Sequence, residues 1–280
     1  MSNTIDANLI ASKLAAKAIS QLSDALAPLA VFSTDFSDDV VAPQGVINVP
    51  VAVSGSNTLV DPANFEQGDG NIVNAKVVMN HYSQPFHLTS KELNSGSKLD
   101  TLAEINLDTF ALKIQDVAFA KITTSAYGDA VTSGDALIAP ATRSEALKTA
   151  WGELKGKRKN FVGNSEVFAG FIPTDTLGLN GTARYGFKNF VYTDDMSALP
   201  SKSVAFVCAP QAMAVATAVP ENPAAADMLA VETAFIEDLG ITVQVNVWSS
   251  KGSRAIWASY DIAFGAVKAV KEALKIVKTA

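Results

Sequence analysis

Residues that usually carry chemistry are scarce in this sequence: its 280 residues include one cysteine and two histidines. A lone thiol closes no internal disulfide, so the fold does not depend on an oxidising compartment. That thiol, Cys208, sits in the apolar run Val204 to Ala209. Reactive thiols occupy electropositive, partly exposed places, so Cys208 reads as buried and inert. The histidines, His81 and His87, are six residues apart and would face one side of a strand. A metal pair is conceivable, but no cysteine lies nearby and no carboxylate falls in a ligand motif. They read as ordinary strand histidines.

Charge is also thin. Charged residues make up 18% of the chain, below the ~25% usual for soluble domains. The net charge is −6, whereas proteins that grip nucleic acid carry a basic excess to displace counterions. The one dense basic run is Lys155, Lys157, Arg158 and Lys159. It reads first as a solvated helix end and second as a contact for an acidic neighbour. No apolar run approaches the ~20 residues that span a bilayer. Lys13 and Lys17 interrupt the N-terminal apolar residues, so a signal-peptide layout is missing. The expectation is a soluble product made in the cytosol. Phosphate-binding glycine loops, the nucleophile elbow, the paired-histidine zinc motif and the EF-hand loop are all absent from the sequence. No acid and base pair stands out. No catalytic, cofactor-binding or metal residue is assigned, no cofactor is expected, and the chain is not expected to be an enzyme.

What the sequence does have is apolar material, 48% of the chain, and patterned segments. Leu9, Ile10, Leu14, Ala18, Leu22 and Leu26 are spaced for one face of a helix, with Asp6 or Asn8 as cap and Pro28 marking its end. Such a helix needs something to pack on, either its own body or a neighbour. Asp35, Asp38 and Asp39 form an acidic patch, and VINVPVAV then alternates as a strand. A polar, Gly- and Asn-rich stretch follows, and NIVNAKVVMNHY returns from it as a second strand. Two strands around a long polar tip describe a protruding arm. An isolated two-stranded ribbon is marginally stable in water, so this arm suits a berth on another subunit.

The longest helical segment runs from Leu99 to Tyr127, with Ser97 or Asp100 as cap and Gly128 as stop. At 100° per residue, Leu107, Phe110, Ala111, Ile114, Val117 and Ala118 fall in one apolar sector, and Ile105, Leu112 and Phe119 in another. Glu104, Asp108 and Gln115 separate them on one side. A helix on the skin of a globule needs only one stripe, so this one is expected to be covered on two sides. Further on, Arg143 to Leu154 reads as a helix, FVGNSEVFAGFIP as a buried strand, and SVAFVCA as another. APQAMAVATAVP reads as a short helix, residues 224–239 as helix or strand, and ITVQVNVW and RAIWASYDIAFG as strands. Val267, Val270, Leu274 and Val277 hold helical spacing in the last stretch.

This order of segments resembles the tailed-bacteriophage major capsid protein family, whose Hong Kong 97-like shell fold is shared with encapsulins. The resemblance implies an α+β chain divided into an N-terminal arm over residues 1–44, an extended β-hairpin loop over 45–80, and a peripheral domain over 81–140 and 246–280. The spine helix of that domain would span 99–127, and an axial domain 141–245. The closing segment of the family turns the last fifteen residues from a helix into strand, turn, strand. The implied function is a coat protein that self-assembles into the icosahedral head enclosing phage double-stranded DNA; the alternative is an encapsulin-like nanocompartment shell. The implied partners are sister copies in hexamers and pentamers, separate scaffolding and portal proteins, and DNA enclosed without sequence-specific binding, with no membrane. The implied location is the virion capsid, assembled in the host bacterial cytoplasm. Some family members crosslink a loop lysine to a neighbour's asparagine; Lys76 stands in the loop here, but nothing in the sequence picks its pair.

Overall fold

The carboxylate of Asp6 accepts hydrogen bonds from the backbone N–H groups of Asn8 (3.1 Å) and Leu9 (3.3 Å). That cap starts helix α1, Ala7–Ala25. A computed structural model describes residues 6–37, 45–53, 71–89, 96–139, 141–154, 158–169, 186–193, 195–221, 227–249 and 255–280. Leu14, Ala18 and Leu22 of α1 are buried. Pro28 does not end this helix but lies in the first turn of α2, Ala27–Phe32, where its missing N–H leaves no bond unmade. The next residues form β1, Ser33–Asp35. Over its described residues, the segment expected as an N-terminal arm is thus folded into the subunit body. Residues 1–5 and 38–44 lie outside the described residues.

The hairpin strands follow as β2, Val46–Val53, and β3, Asn71–Val78, and the polar tip between them lies outside the described residues. After β4, Asn80–Leu88, comes the long helix α3, Gly96–Phe119. It starts before Leu99, so Ser97 and Asp100 lie within the helix and not at its cap. It also ends before Tyr127: Thr123 caps a separate turn, α4 (Thr124–Tyr127), closed by Gly128 at φ 86°. Next come α5 (Gly134–Ile138), α6 (Arg143–Glu153), β5 (Asn160–Gly163) and α7 (Ser165–Ala169). The strand expected across Phe161–Pro173 therefore stops at Gly163, and the Asn164 side chain accepts from the Val167 N–H to open α7.

The remaining strands are β6 (Asn189–Tyr192), β7 (Ser203–Cys208), β8 (Met213–Ala218), β9 (Ala230–Ile236), β10 (Ile241–Ser249), β11 (Ile256–Lys268) and β12 (Leu274–Lys278). The short helix expected over 209–220 shrinks to a 3-10 turn, Pro210–Ala212, before β8. Its alanines are there because a neighbour lies close: Ala214 and Ala216 pack beneath the hairpin. The ambiguous stretch 224–239 holds a strand, and the chain end is strand, 3-10 turn and strand.

The larger sheet runs β1-β8-β11-β10-β9, with β4 on the other edge of β11. β11 meets β4 from Ile256 to Phe264, while its opposite edge pairs first with β10 and then, from Ala263, with β8. The second sheet runs β12-β7-β5-β6. This pairing cuts across the boundaries expected from the sequence: β8, β9 and the start of β10 join β4 and β11, and β12 pairs with β7. α3 lies on the core face of the larger sheet, where Phe86 stacks on Tyr260 at 5.6 Å and Phe110 reaches the same ring at 6.3 Å. Phe32, Phe119 and Phe206 join α2, α3 and β7 through ring centroids 5.4 to 5.9 Å apart. That triad ties the spine helix to the second sheet.

Candidate assembly surfaces

The hairpin is the first surface. β2 and β3 pair antiparallel from Val46↔Val78 to Val53↔Asn71. Alternation sends Ile47, Val49, Val51 and Val77 inward onto Ala214, Ala216 and Ala263. The approach is tight. A Cβ on Gly265 of β11 would lie 2.6 Å from both Val77 Cγ1 and the Val78 carbonyl oxygen. On the outer face, Val46 and Val78 are cross-strand partners, 58% and 57% exposed. Lys76 lies opposite Asn48 in this ladder. Over its described residues the ribbon is thus packed on the sheet, with one cross-strand apolar pair left facing water.

The spine helix supplies the second surface, and it corrects the expectation of cover on two sides. Leu107, Phe110, Ala111, Ile114 and Ala118 are buried as expected. Of the other sector only Phe119 is buried; Ile105 and Leu112 are 59% and 42% exposed. Gln115, one of the polar residues that separate the two sectors, is buried and hydrogen-bonds to Thr193. Asp108, Ala111, Leu112 and Gln115 of α3 line an open groove of about 360 Å³ together with Asp24, Ala25, Tyr192 and Thr193. Burial, and next the charge of Asp195, raise the pKa of Asp116, with Lys113 opposing them.

Polar groups elsewhere serve the fold. His81 Nε2 lies 2.9 Å from Asp261, a buried carboxylate that also accepts from Asn246 (2.9 Å) and from the Ser259 hydroxyl. His87 packs on Trp257 at 5.4 Å. The two histidines thus have separate partners and form no pair. Among the described residues, no group of three or more His, Cys, Asp or Glu side chains is placed to hold a metal ion. Cys208 is fully buried, and burial pushes its thiol pKa up, which leaves it a poor nucleophile. The basic run is not wholly solvated. Lys159 is buried, its ammonium 3.6 Å over the Trp151 ring and donating to the Trp151 carbonyl, and burial lowers its pKa. Arg158 is exposed, and residues 155–157 lie outside the described residues. Of the acidic patch, Asp35 accepts from the Ser37 N–H, while Asp38 and Asp39 lie outside the described residues. Among the described residues, no helix is long and apolar enough to cross a membrane. Sequence reasoning missed the Asp261 cluster because its members are spread from residue 81 to residue 261 and meet only through strand register.

No protein-family model matches the chain, and no curated protein matches it in sequence. Solved structures do match in fold. The virus-like particle from Pyrococcus furiosus superposes with a TM-score of 0.59 at 12% identity, covering 94% of this chain and 98% of that one. The capsid of the Cyanophage P-SCSP1u gives 0.53 at 10% identity, over 89% and 86% of the two chains. The capsid of an empty GTA particle gives 0.52 at 15% identity, over 92% and 90%. At such identities the likeness is one of architecture, and it runs nearly end to end.

Proposed function

We propose, on the premise that the chain has the Hong Kong 97-like shell fold, that it is the major capsid protein of a tailed bacteriophage. Copies assemble into a closed icosahedral head around double-stranded DNA. The observation that carries this reading is the near end-to-end fold match to subunits of capsids and a virus-like particle. Fold alone does not fix function; the exposed face of the hairpin is what supports the reading beside it. The hairpin is anchored on β8 and β11 but shows an apolar pair outward. Heterologous contacts of that kind close into rings of five and six, and many modest contacts acting together make a stable shell.

In this reading, the sheet of β4, β8, β9, β10 and β11 with α3 forms the peripheral part of the subunit, and the sheet of β5, β6, β7 and β12 the axial part. The role is structural, with separate scaffolding and portal proteins and assembly in the host cytoplasm. The net charge of −6 suits a container for DNA, since a basic lining would hold phosphates non-specifically. The match to the virus-like particle supports a second reading, a nanocompartment shell. Particles isolated from the producing cell decide between them. Nuclease-resistant double-stranded DNA inside shells of this chain is the expected result. Shells that hold a protein cargo and no DNA would establish the second reading instead.

A further inference from the structure

The larger sheet ends on an open edge. β9 pairs with β10 along its whole length, Ala230–Ile236, without a register shift, and among the described residues no strand pairs with its other side. An unpaired edge presents backbone N–H and C=O groups that another extended chain can complete. Proteins that leave an edge open to water usually guard it with lysine, proline or a bulge. β9 has none of these, and its sequence, AVETAFI, holds a single charge. Its outer face is apolar instead. Val231 and Phe235 are 42% and 53% exposed, and Leu229, just before the strand, is 50% exposed. Helix α1 extends this apolar rim. The Ser23 hydroxyl bonds to Asp238 in the turn after β9. Leu9 and Ile19, both exposed, lie within ~40° of Ser23 around that helix, at ~100° per residue.

We propose that β9 is a self-pairing edge: it docks antiparallel on β9 of a second copy about a two-fold axis through Thr233, joining two larger sheets into one. The order of side chains selects this occupant. With Thr233 opposite itself, Val231 of each copy faces Phe235 of the other, and both pairs lie on one face, so the exposed apolar side chains of the two strands meet. Glu232 falls opposite Ala234, so no like charges face each other across the ladder. The exposed carboxylates that flank the strand, Asp227, Glu237 and Asp238, still repel between copies of net charge −6, which makes the contact stronger at high salt. An isologous contact closes on itself and generates no ring. In the shell proposed above it ties one ring to the next. The edge itself belongs to the single subunit and does not rest on that reading.

Thr233→Cys in the full chain tests the axis directly. Opposed residues of antiparallel strands lie ~4.5–5.5 Å apart at Cα, within the span of a disulfide. The native thiol, Cys208, is buried and gives no background. Under mild oxidation, Thr233→Cys should form a covalent dimer on a non-reducing gel, in greater yield at high salt. Thr242→Cys, on the same face but one strand inward, opposite Phe235, should stay monomeric. Adding Val231→Lys to Thr233→Cys should cut the crosslinked fraction about tenfold and leave the melting curve unchanged, because Val231 is exposed. Should Val231→Lys misfold, the two cysteine variants still decide. Equal crosslinking of those two variants, or none of either, would overturn the proposal. Shells that close without the Thr233→Cys crosslink would sink this contact and leave the shell reading standing; crosslinked dimers that never close into shells would do the reverse.

Discussion

Alanine at Phe119 and alanine at Leu112 contrast a buried with an exposed member of the spine helix's second apolar sector. Phe119 is fully buried and touches Phe32 of α2 and Phe206 of β7, with centroids 5.9 and 5.7 Å away. Its removal leaves a cavity where α3 meets the second sheet, and such truncations cost about 3–5 kcal/mol. A chain of this size loses roughly 2–4 °C of melting temperature per kcal/mol, so a drop of about 6–20 °C is expected. Leu112→Ala, seven positions earlier, alters an exposed side chain and should stay within about 0.5 kcal/mol of the parent. Urea and thermal melts of dispersed subunits, followed by circular dichroism, read both. A Phe119→Ala loss under about 1 kcal/mol, or equal losses at the two sites, would refute the packing of the triad.

Gly265→Ala would push a Cβ to within 2.6 Å of the Val78 carbonyl. It should tilt the hairpin and lower shell yield in a light-scattering assay at a stability cost of only about 1–3 kcal/mol. Asp261→Ala strips His81, Asn246 and Ser259 of their shared acceptor; denaturant melts should show a loss of about 1–3 kcal/mol, and a neutral outcome would deny the cluster its role. Asp116 has a raised pKa, so its proton is held more tightly in the folded chain, and its contribution to stability is lost as pH rises through the folded pKa. Asp116→Asn should therefore stabilise the subunit at neutral pH and change nothing below the ordinary carboxylate range, as melts across pH would show. Replacing residues 54–70 with a short turn should leave a folded, soluble subunit that completes no shells; an unfolded product would refute the arm assignment.

Local signals carried much of this structure. The Asp6 cap, the period of Leu14, Ala18 and Leu22, and the alternation of VINVPVAV each map onto the element they foretold. Segment order added what spacing alone had wrong: Val267, Val270, Leu274 and Val277 hold helical spacing, yet the chain there is strand, turn and strand. The alanine-rich run of β8 looks helical for a related reason, since small residues raise helix propensity while here they make room for the hairpin. Long-range pairing stayed hidden. Nothing near Leu274 announces that β12 pairs with β7, or that β8 lies on β11. On α3, periodicity found both apolar stripes but not which was covered. That depends on α2 and β7, whose Phe32 and Phe206 pack on Phe119, and on Thr193, which bonds Gln115, while Ile105 and Leu112 are left bare.

Electron microscopy of the purified full-length chain, concentrated under assembly conditions, tests the central claim most directly. Closed, spherical shells of uniform diameter are the result this account predicts. A monodisperse solution of single subunits at high concentration, or open tubes and sheets without closure, would contradict it.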